Sequence, residues 1–389
     1  MNIFLNVLAA ALATMLISSC ISGESRVTPS DPVRLNHLQF IGTHNSYHVA
    51  PDEAIFDVME GERYNESDQW TAARLREALS FTHAPLDQQL DMGLRVLELD
   101  VRDDPKGGQF DDPSFLRAVA PEIAENLSPF DPNGDLAKPG LKVFHTAEMD
   151  FRSRCLRFIK CLEIIRNWSL RNPGHLPIFI EMESKQGTKP ALSSSYEPAE
   201  VLPFTDTAWL GVHQEILSVF ERNSLFLPGD LRGDFTSVNE AVRHEGWPPI
   251  EDMRGKIIFL LLDDPAKQDA YAAAVEGSDP ILFVTRTVAD PQTAWLMRPK
   301  PDRQTIRPLV EAGFLVYTRA DAHTREARDM DYARADEAFA SGAQLIATDY
   351  PVADPDISEY AVSFGGRYVR CNVIFRNGGC GYGAQSEMK

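Results

Sequence analysis

Two histidines and several carboxylates stand at the ends of short apolar runs in this sequence. In chain order these polar residues are His44, Asn45, Glu98, Asp100, His145, Glu181 and Glu183. Histidine gains and loses a proton near neutral pH, whereas carboxylate and amide oxygens are the ligands that Ca²⁺ prefers. These residue types therefore predict a pair of proton-transferring groups beside a site for a hard cation.

The carboxylates need a cation if they lie together. Glu98 and Asp100 are two residues apart on one run, so their side chains point the same way. Ionised carboxylates close together in a low-dielectric mouth repel each other strongly. No cysteine is near, which favours Ca²⁺, and Zn²⁺ bound through the histidines is the alternative. Each feature alone is weak, and the prediction depends on contributions from four consecutive runs.

Eight apolar runs, separated by amphipathic stretches, are the predicted strands. They begin at Leu38, Arg95, Leu141, Pro177, Lys256, Ile281, Phe314 and Gln344. Near-continuous apolar strands alternating with helices indicate a parallel sheet covered on both faces, and eight units predict an α/β fold of the (β/α)₈ TIM-barrel type. The strand ends of such a barrel converge on one mouth. A doubly wound open sheet is the alternative, but its glycine-rich phosphate loop is missing from the sequence.

The chain is expected to be exported. Residues 1–20 have the apolar core of a signal peptide, and ISSC resembles a bacterial lipobox in which Cys20 would be lipidated. An ordinary signal peptide cut near Gly23 is the alternative. Residues 34–389 are predicted to form the barrel, with 352–389 as a disulfide-stapled C-terminal extension. The mature protein would be periplasmic, an outer-membrane lipoprotein, or secreted.

Cysteine and charge add two expectations. In an exported protein the four remaining cysteines predict the disulfides Cys155–Cys161 and Cys371–Cys380. The formal net charge of −19 disfavours nucleic acid as a partner, because no basic stripe exists to replace phosphate counterions.

Two long inserts, roughly 49–82 and 102–140, follow the first two predicted strands and are expected to shape a substrate site.

Four motifs carry a resemblance to a known family. THN after the first run, LELDV, VFH and IFIEME resemble the phosphatidylinositol phospholipase C superfamily of TIM-barrel phosphodiesterases, which includes the glycerophosphodiester phosphodiesterases. The chain looks most similar to the calcium-dependent phosphoinositide phospholipase C-like family of microbes. HAPLDQQLDMG and ARADEAFASGAQLIATDYP agree with that family, so the resemblance covers roughly residues 36–352.

The resemblance implies roles for individual residues. It implies that His44 is the general base and that His145 is the general acid. It implies Ca²⁺ as the cofactor, and the ligands are then Asn45, Glu98, Asp100 and Glu183. For the last ligand, counting from the proline before the run favours Glu183 over Glu181.

Further residues are candidates for substrate binding. Arg102 could contact a phosphate, and an exposed surface arginine is an equal alternative. Tyr317, Arg319 and Asp321 share one face of a predicted strand and are proposed to contact the inositol ring or its phosphates, with loop salt bridges as the alternative. The histidines expected in surface or loop positions without a role are His48, His83 and His323.

These features predict a phosphoric diester hydrolase of the phospholipase C type that cleaves phosphatidylinositol-like lipids. The alternative within the superfamily is a glycerophosphodiester phosphodiesterase that acts on deacylated lipids. A glycosidase with paired carboxylates would leave both histidines unused, and a non-catalytic binding barrel would not need them. The partners expected are the phospholipid or glycerophosphodiester substrate and a membrane surface, reached through the substrate and an N-terminal lipid, and the protein is expected to be a monomer. Exposed apolar residues at the mouth would favour intact lipid, and the first insert offers Ile55, Phe56 and Trp70.

Overall fold

The computed structural model describes residues 32–62, 71–188, 191, 196–375 and 380. A compact unit begins at Pro32. The predicted signal peptide, with Cys20, and the insert residue Trp70 lie outside the described residues.

The described elements alternate along most of the chain. The strands are β1 (Leu38–Thr43), β2 (Val96–Arg102), β3 (Lys142–Val143), β4 (Ile178–Ser184), β5 (Ile257–Leu261), β6 (Leu282–Phe283), β7 (Trp295–Met297), β8 (Leu315–Arg319), β9 (Leu345–Thr348) and β10 (Val369–Cys371). The helices are α1 (Glu53–Gly61), α2 (Ala72–Leu79), α3 (Leu86–Asp91), α4 (Ser114–Ala118), α5 (Pro121–Ala124), α6 (Phe158–Arg171), α7 (Asp206–Val219), α8 (Pro228–Arg232), α9 (Val238–His244), α10 (Pro265–Ala274), α11 (Arg303–Glu311), α12 (Arg325–Asp329) and α13 (Ala333–Ser341). Single 3₁₀ turns occur at Leu35–His37, Arg222–Ser224 and Ile250–Met253.

Eight of the strands form a nearly closed parallel barrel. Their order is β6-β5-β4-β2-β1-β9-β8-β7, and each neighbouring pair is parallel. At the seam between β6 and β7 the indole N–H of Trp295 donates to the carbonyl oxygen of Phe283 at 3.0 Å. The predicted (β/α)₈ TIM barrel is confirmed, with helices covering strands that are buried on both faces.

The third predicted strand is wrong. The run from Leu141 gives only the two residues of β3, which pair antiparallel with the end of β2 (Val101 with Val143, Arg102 with Lys142). A parallel strand needs a crossover that returns the chain to the other end of the barrel. Between β2 and β3 the chain forms only α4 and α5, of five and four residues, so it turns back alongside β2.

The sequence reading also missed one barrel strand. β7 has three residues, too few to give a recognisable apolar run, and it takes its place between β6 and β8 in the chain. Because β3 is not a barrel strand, the run from Pro177, predicted as the fourth strand, is the third strand of the barrel. Its register aligns Glu98 with Glu181 and Asp100 with Glu183 on neighbouring strands.

The C-terminal segment is attached to the first strand. β10 pairs antiparallel with β1, with Leu38 opposite Cys371. Both predicted disulfides, Cys155–Cys161 and Cys371–Cys380, are present. Disulfides persist in oxidising compartments, and the two bridges indicate an exported protein. Among the described helices, none combines the length and the apolar character needed to cross a bilayer.

Candidate active site

A tight turn after β1 explains why an imidazole and a carboxamide are adjacent in the sequence. Asn45 has a left-handed backbone (φ 55°), which asparagine adopts more readily than most residues, and the N–H of His48 closes the turn on its carbonyl oxygen at 2.7 Å. The hydroxyl of Ser46 accepts the backbone N–H of Glu98 at 2.7 Å. The N–H of Ser46 donates in return to the Glu98 carbonyl at 3.1 Å, so the turn is fixed onto β2 beside the carboxylates.

Two residues from the C-terminal part of the chain hold the His44 side chain. Its Nδ1 lies 2.7 Å from Asp349 Oδ1, at the end of β9. Its Nε2 lies 2.9 Å from a guanidinium nitrogen of Arg319, the last residue of β8. The second guanidinium nitrogen of Arg319 lies 3.1 Å from each oxygen of Asp349. The three side chains therefore form a closed ring of contacts.

The charged partners fix the tautomer of His44. A guanidinium only donates hydrogen bonds, so Nε2 must offer its lone pair, and the proton sits on Nδ1 and donates to Asp349. Burial and the neighbouring Arg319 lower the pKa of His44 to about 4. Burial alone would raise the pKa of Asp349, but Arg319 and His44 hold it well below its usual range. A neutral imidazole with its proton on Nδ1 and its lone pair on Nε2 is the form that a general base requires, and Arg319 holds that lone pair in this structure.

Three carboxylates meet at the ends of β2 and β4. Glu98, Asp100 and Glu183 each offer an oxygen, and these atoms lie within 4.8 Å of one another. Burial and the neighbouring carboxylates raise the pKa of Glu98 well above its usual range, and its Oε2 atom is buried without a hydrogen-bond partner among the described residues. Asn45 is buried in the adjoining turn. These hard oxygen ligands fit a calcium ion.

Glu181 lies apart from this cluster. It is fully buried, both carboxylate oxygens lack a partner among the described residues, and burial raises its pKa well above the usual range. Glu183 is nearer the mouth, with 30% of its side chain exposed. The geometry therefore groups Glu183, the favoured of the two candidate ligands, with Glu98 and Asp100.

Lys185 adds a positive charge to the carboxylate cluster. Its Nζ lies 3.0 Å from Asp100 Oδ2 and 2.8 Å from Glu183 Oε1. Burial alone would lower the pKa of Lys185, but these two carboxylates raise it above its ordinary value. Burial alone would raise the pKa of Asp100, and Lys185 is the foremost group that holds it below its usual range.

The second predicted catalytic histidine also has a buried carboxylate partner. His145 Nδ1 lies 2.7 Å from Asp150 Oδ2, and the His145 side chain is 28% exposed. Among the described residues, none hydrogen-bonds its Nε2 atom. His145 thus presents one nitrogen to a fixed carboxylate and keeps the other available to a bound molecule.

Arg102 is buried beside His145. Only 3% of it is exposed, its guanidinium carbon lies 4.8 Å from the centre of the Phe144 ring, and it donates to the His145 carbonyl oxygen. The alternative of an exposed surface arginine is therefore wrong. Contact of Arg102 with a substrate phosphate stays a prediction.

Two of the histidines expected in surface or loop positions lie in loops but are buried, and both contact residues of the site. His48 is fully buried, with Nε2 3.0 Å from Asp150 Oδ1. His83 is 3% exposed, and its Nε2 donates to the His44 carbonyl oxygen at 3.0 Å. A loop position is expected for both, but their burial is not, because the sequence does not show that these loops pack against the site. His323 is exposed, as expected.

The predicted substrate face of β8 is largely occupied by protein contacts. Tyr317 is buried in the barrel. Asp321 accepts the backbone N–H of Asp349 at 2.8 Å and the hydroxyl of Thr348. Burial and Asp349 raise the pKa of Asp321 to about 7. Asp321 therefore supports Asp349. Of Tyr317, Arg319 and Asp321, only Arg319 contacts His44.

Asp349, Asp150 and Lys185 are not among the site residues predicted from the sequence. Asp349 stands directly after the last predicted strand, so collecting polar residues at all eight strand ends would have found it. Lys185 follows Glu183 by two residues, and the two-residue period of a strand predicts the same face. Asp150 lies in a loop, and no local pattern marks it.

Comparisons with known proteins agree with this fold and show the family. The family model for "Phosphoinositide phospholipase C, Ca²⁺-dependent" matches residues 33–373. The apo structure of a calcium-dependent phosphoinositol-specific phospholipase C from a Pseudomonas species has a similar fold, with a TM-score of 0.52 and 17% sequence identity over 88% of this chain and 97% of that one. A myoinositol complex from a Pseudomonas species is also similar, with a TM-score of 0.52 and 16% identity over 87% of this chain and 96% of that one. No curated protein matches the chain.

Proposed function

Because this chain belongs to the Ca²⁺-dependent phosphoinositide phospholipase C family, we propose that it cleaves phosphatidylinositol-like lipids with His44 as the general base and His145 as the general acid. One observation carries the assignment of roles. Each histidine is held through Nδ1 by a buried aspartate, at 2.7 Å, beside a cluster of three carboxylates.

The reaction is an internal displacement at phosphorus. A hydroxyl of the inositol ring next to the phosphate gives its proton to His44 Nε2, and its oxygen forms the new bond to phosphorus. The bond from phosphorus to the glycerol oxygen breaks, and His145 Nε2–H protonates the departing alkoxide. The products are a cyclic inositol phosphate and diacylglycerol, and water can then open the ring with the two histidines in reversed roles.

Asp349 and Asp150 orient the two histidines by holding their Nδ1 atoms. The carboxylate of Asp349 binds Nδ1–H of His44, so that Nε2 accepts. Arg319 occupies that Nε2 atom in the structure, and a substrate phosphate would attract its guanidinium and free the lone pair. Because Arg319 contacts the proposed general base, we expect Arg319→Ala to slow every substrate, whereas a contact with headgroup phosphates alone would slow only phosphorylated headgroups.

The proposed calcium ligands are Asn45, Glu98, Asp100 and Glu183. A bound Ca²⁺ would stabilise the negative charge that develops on phosphorus and lower the pKa of the attacking hydroxyl. The cluster fits this role because a buried oxygen of Glu98 lacks a partner among the described residues and because the carboxylate charges exceed the charge of Lys185.

Intact lipid is the proposed substrate. Ile55 and Phe56 of the first insert are buried, so they do not form an apolar rim. Met330 and Val352, on the loops that follow β8 and β9, are 46% and 52% exposed and support contact with a bilayer.

We also propose that residues 1–20 direct export, that Cys20 carries a lipid, that residues 34–389 act as one monomeric unit, and that 352–389 is its extension.

The test is release of water-soluble inositol phosphate from phosphatidylinositol vesicles, with Ca²⁺ and then with a chelator. We expect calcium-dependent release by the wild type and loss of about 10²–10⁴-fold in His44→Ala and in His145→Ala. His244→Ala, which removes an exposed histidine at the end of α9, is the matched control. Cleavage of glycerophosphoinositol without cleavage of the vesicles would leave the chemistry intact and refute the lipid substrate.

A further inference from the structure

The carboxylate that holds His145 is shared with a second histidine. Asp150 Oδ2 lies 2.7 Å from His145 Nδ1 and 3.1 Å from His48 Nε2, while Asp150 Oδ1 lies 3.0 Å from the same His48 atom. Asp150 and His48 are both fully buried. The arrangement is a continuous chain of contacts, His48–Asp150–His145, that reaches the mouth only at its His145 end.

The hydrogen-bond partners fix the protons of His48. Its Nδ1 lies 2.9 Å from the Phe81 carbonyl oxygen, which can only accept, so Nδ1 carries a proton. Its Nε2 faces the Asp150 carboxylate, which also accepts, so that nitrogen carries a proton as well. Both ring nitrogens of His48 therefore donate, one to the Phe81 carbonyl and one to Asp150.

His48 has more contacts with the rest of the fold than His145 has. Its ring stacks on Phe81, with ring centres 4.2 Å apart and an angle of 23° between the planes. Its backbone N–H donates to Asn45 and its carbonyl accepts from His83 at 3.0 Å. His145, by contrast, has a side chain that is 28% exposed and is tied to the fold through the shared carboxylate.

We propose that His48 is a positioning residue for His145: by binding both oxygens of Asp150, it orients the carboxylate so that His145 keeps its proton donor, Nε2–H, aimed at the leaving oxygen. The inference rests on the proposed role of His145 as the general acid. His48 does not touch the substrate. Without it, Asp150 has one histidine partner and is free to rotate.

If His48 positions the general acid, its loss should slow only the step in which the leaving group is protonated. Breaking the phosphorus–oxygen bond to glycerol leaves an alkoxide that must receive the His145 proton. An ester of inositol phosphate with 4-nitrophenol breaks the corresponding bond to release a nitrophenolate, which departs without a proton. A residue that serves the general acid therefore matters for the lipid and little for the nitrophenyl ester.

The experiment measures kcat/KM of His48→Gln on phosphatidylinositol and on inositol 1-(4-nitrophenyl phosphate), with calcium saturating. We expect a loss of about tenfold or more on the lipid and less than about threefold on the nitrophenyl ester. His213→Gln is the matched control, because it removes another buried histidine, on α7, that does not contact the site. Asp150→Asn is the second variant and should give the same selectivity, which keeps the test available if His48→Gln does not fold.

The outcomes separate this inference from the proposed function. Equal losses on both esters, or no loss on the lipid, would overturn the role of His48. His145→Ala is measured in parallel and must itself be selective for the lipid. If it slows both esters equally, the proposed general acid is wrong, whatever His48→Gln does. If it is selective and neither His48→Gln nor Asp150→Asn is, only the positioning role of His48 fails.

Discussion

Replacing Lys185 by methionine should tighten calcium binding. The ammonium group of Lys185 lies 3.0 Å from Asp100 and 2.8 Å from Glu183, two of the proposed calcium ligands. Carboxylate oxygens bound to an ammonium group are not free for a cation, so calcium binding must break these contacts. Methionine keeps the length of the aliphatic chain and removes the charge that competes.

The size of the effect follows from the two contacts. A hydrogen bond between charged groups contributes about 1.5–3 kcal/mol when its surroundings exclude water. The side chains of Lys185 and Glu183 are 20% and 30% exposed, so solvent screening weakens their contact. We therefore assign about 1.5–3 kcal/mol to both contacts together, which corresponds to a Kd for Ca²⁺ that is lower by about ten- to a hundredfold in Lys185→Met.

The assay is isothermal titration of chelator-treated protein with Ca²⁺, supported by the thermal unfolding midpoint with and without the ion. Lys185→Met should also be less stable than the wild type without calcium, because Asp100 and Glu183 then lose their cationic partner, and should gain more stability from the ion. Lys160→Met is the control, since it removes one positive charge from the surface of α6, where Lys160 pairs with Glu163. A Kd in Lys185→Met equal to or weaker than that of the control would refute the competition.

Three further predictions concern catalysis, pH and packing. Asp349→Asn should lower kcat on phosphatidylinositol by about 10²–10⁴-fold, because asparagine does not fix the Nδ1–H tautomer of His44, and should lower the Tm, because Arg319 loses its buried carboxylate partner; a kcat within threefold of the wild type would contradict this. Burial lowers the pKa of His213 to about 4, below its ordinary 6.5, and the Tyr271 hydroxyl lies 2.8 Å from its Nε2. The folded state therefore binds fewer protons than the unfolded state, and the contribution is complete above pH 6.5 and lost as the pH falls towards 4, so the free energy of unfolding from urea titrations should depend less steeply on pH in His213→Gln. Gly42→Ala should cost about 1–3 kcal/mol and lower the Tm in calorimetry, because its Cβ would lie 2.4 Å from a carbonyl oxygen of β2; an unchanged Tm would show that the strands can separate without cost.

The barrel could be predicted because its signal is repeated. Seven of the eight predicted runs are parallel strands of the barrel, and each is long enough or apolar enough to stand out between helices. The two errors, β3 and β7, concern strands of two and three residues. Over that length a parallel strand, an antiparallel pair and a loop have the same local composition, and the path of the neighbouring chain decides between them.

The candidate ligands and the two histidines could be placed near one mouth for a similar reason. Glu98 and Asp100 belong to one strand, and the register with β4 brings Glu183 opposite Asp100. Asp349 could be placed in the same way, because it follows the last barrel strand, although it lies 305 positions from His44 along the chain. Asp150 could not, because it lies in a loop and reaches His48 across 102 positions.

The sequence by itself therefore determined the class of fold, the two disulfides, and which barrel strands carry the clustered carboxylates. These follow from periodicity and spacing, which act over a few residues at a time. Only the tertiary structure decided which nitrogen of each histidine faces its aspartate, and that Asp150 is buried between His145 and His48. Protonation and charge pairing depend on burial and on atoms within about 3–4 Å, and those atoms come from segments that the sequence separates widely.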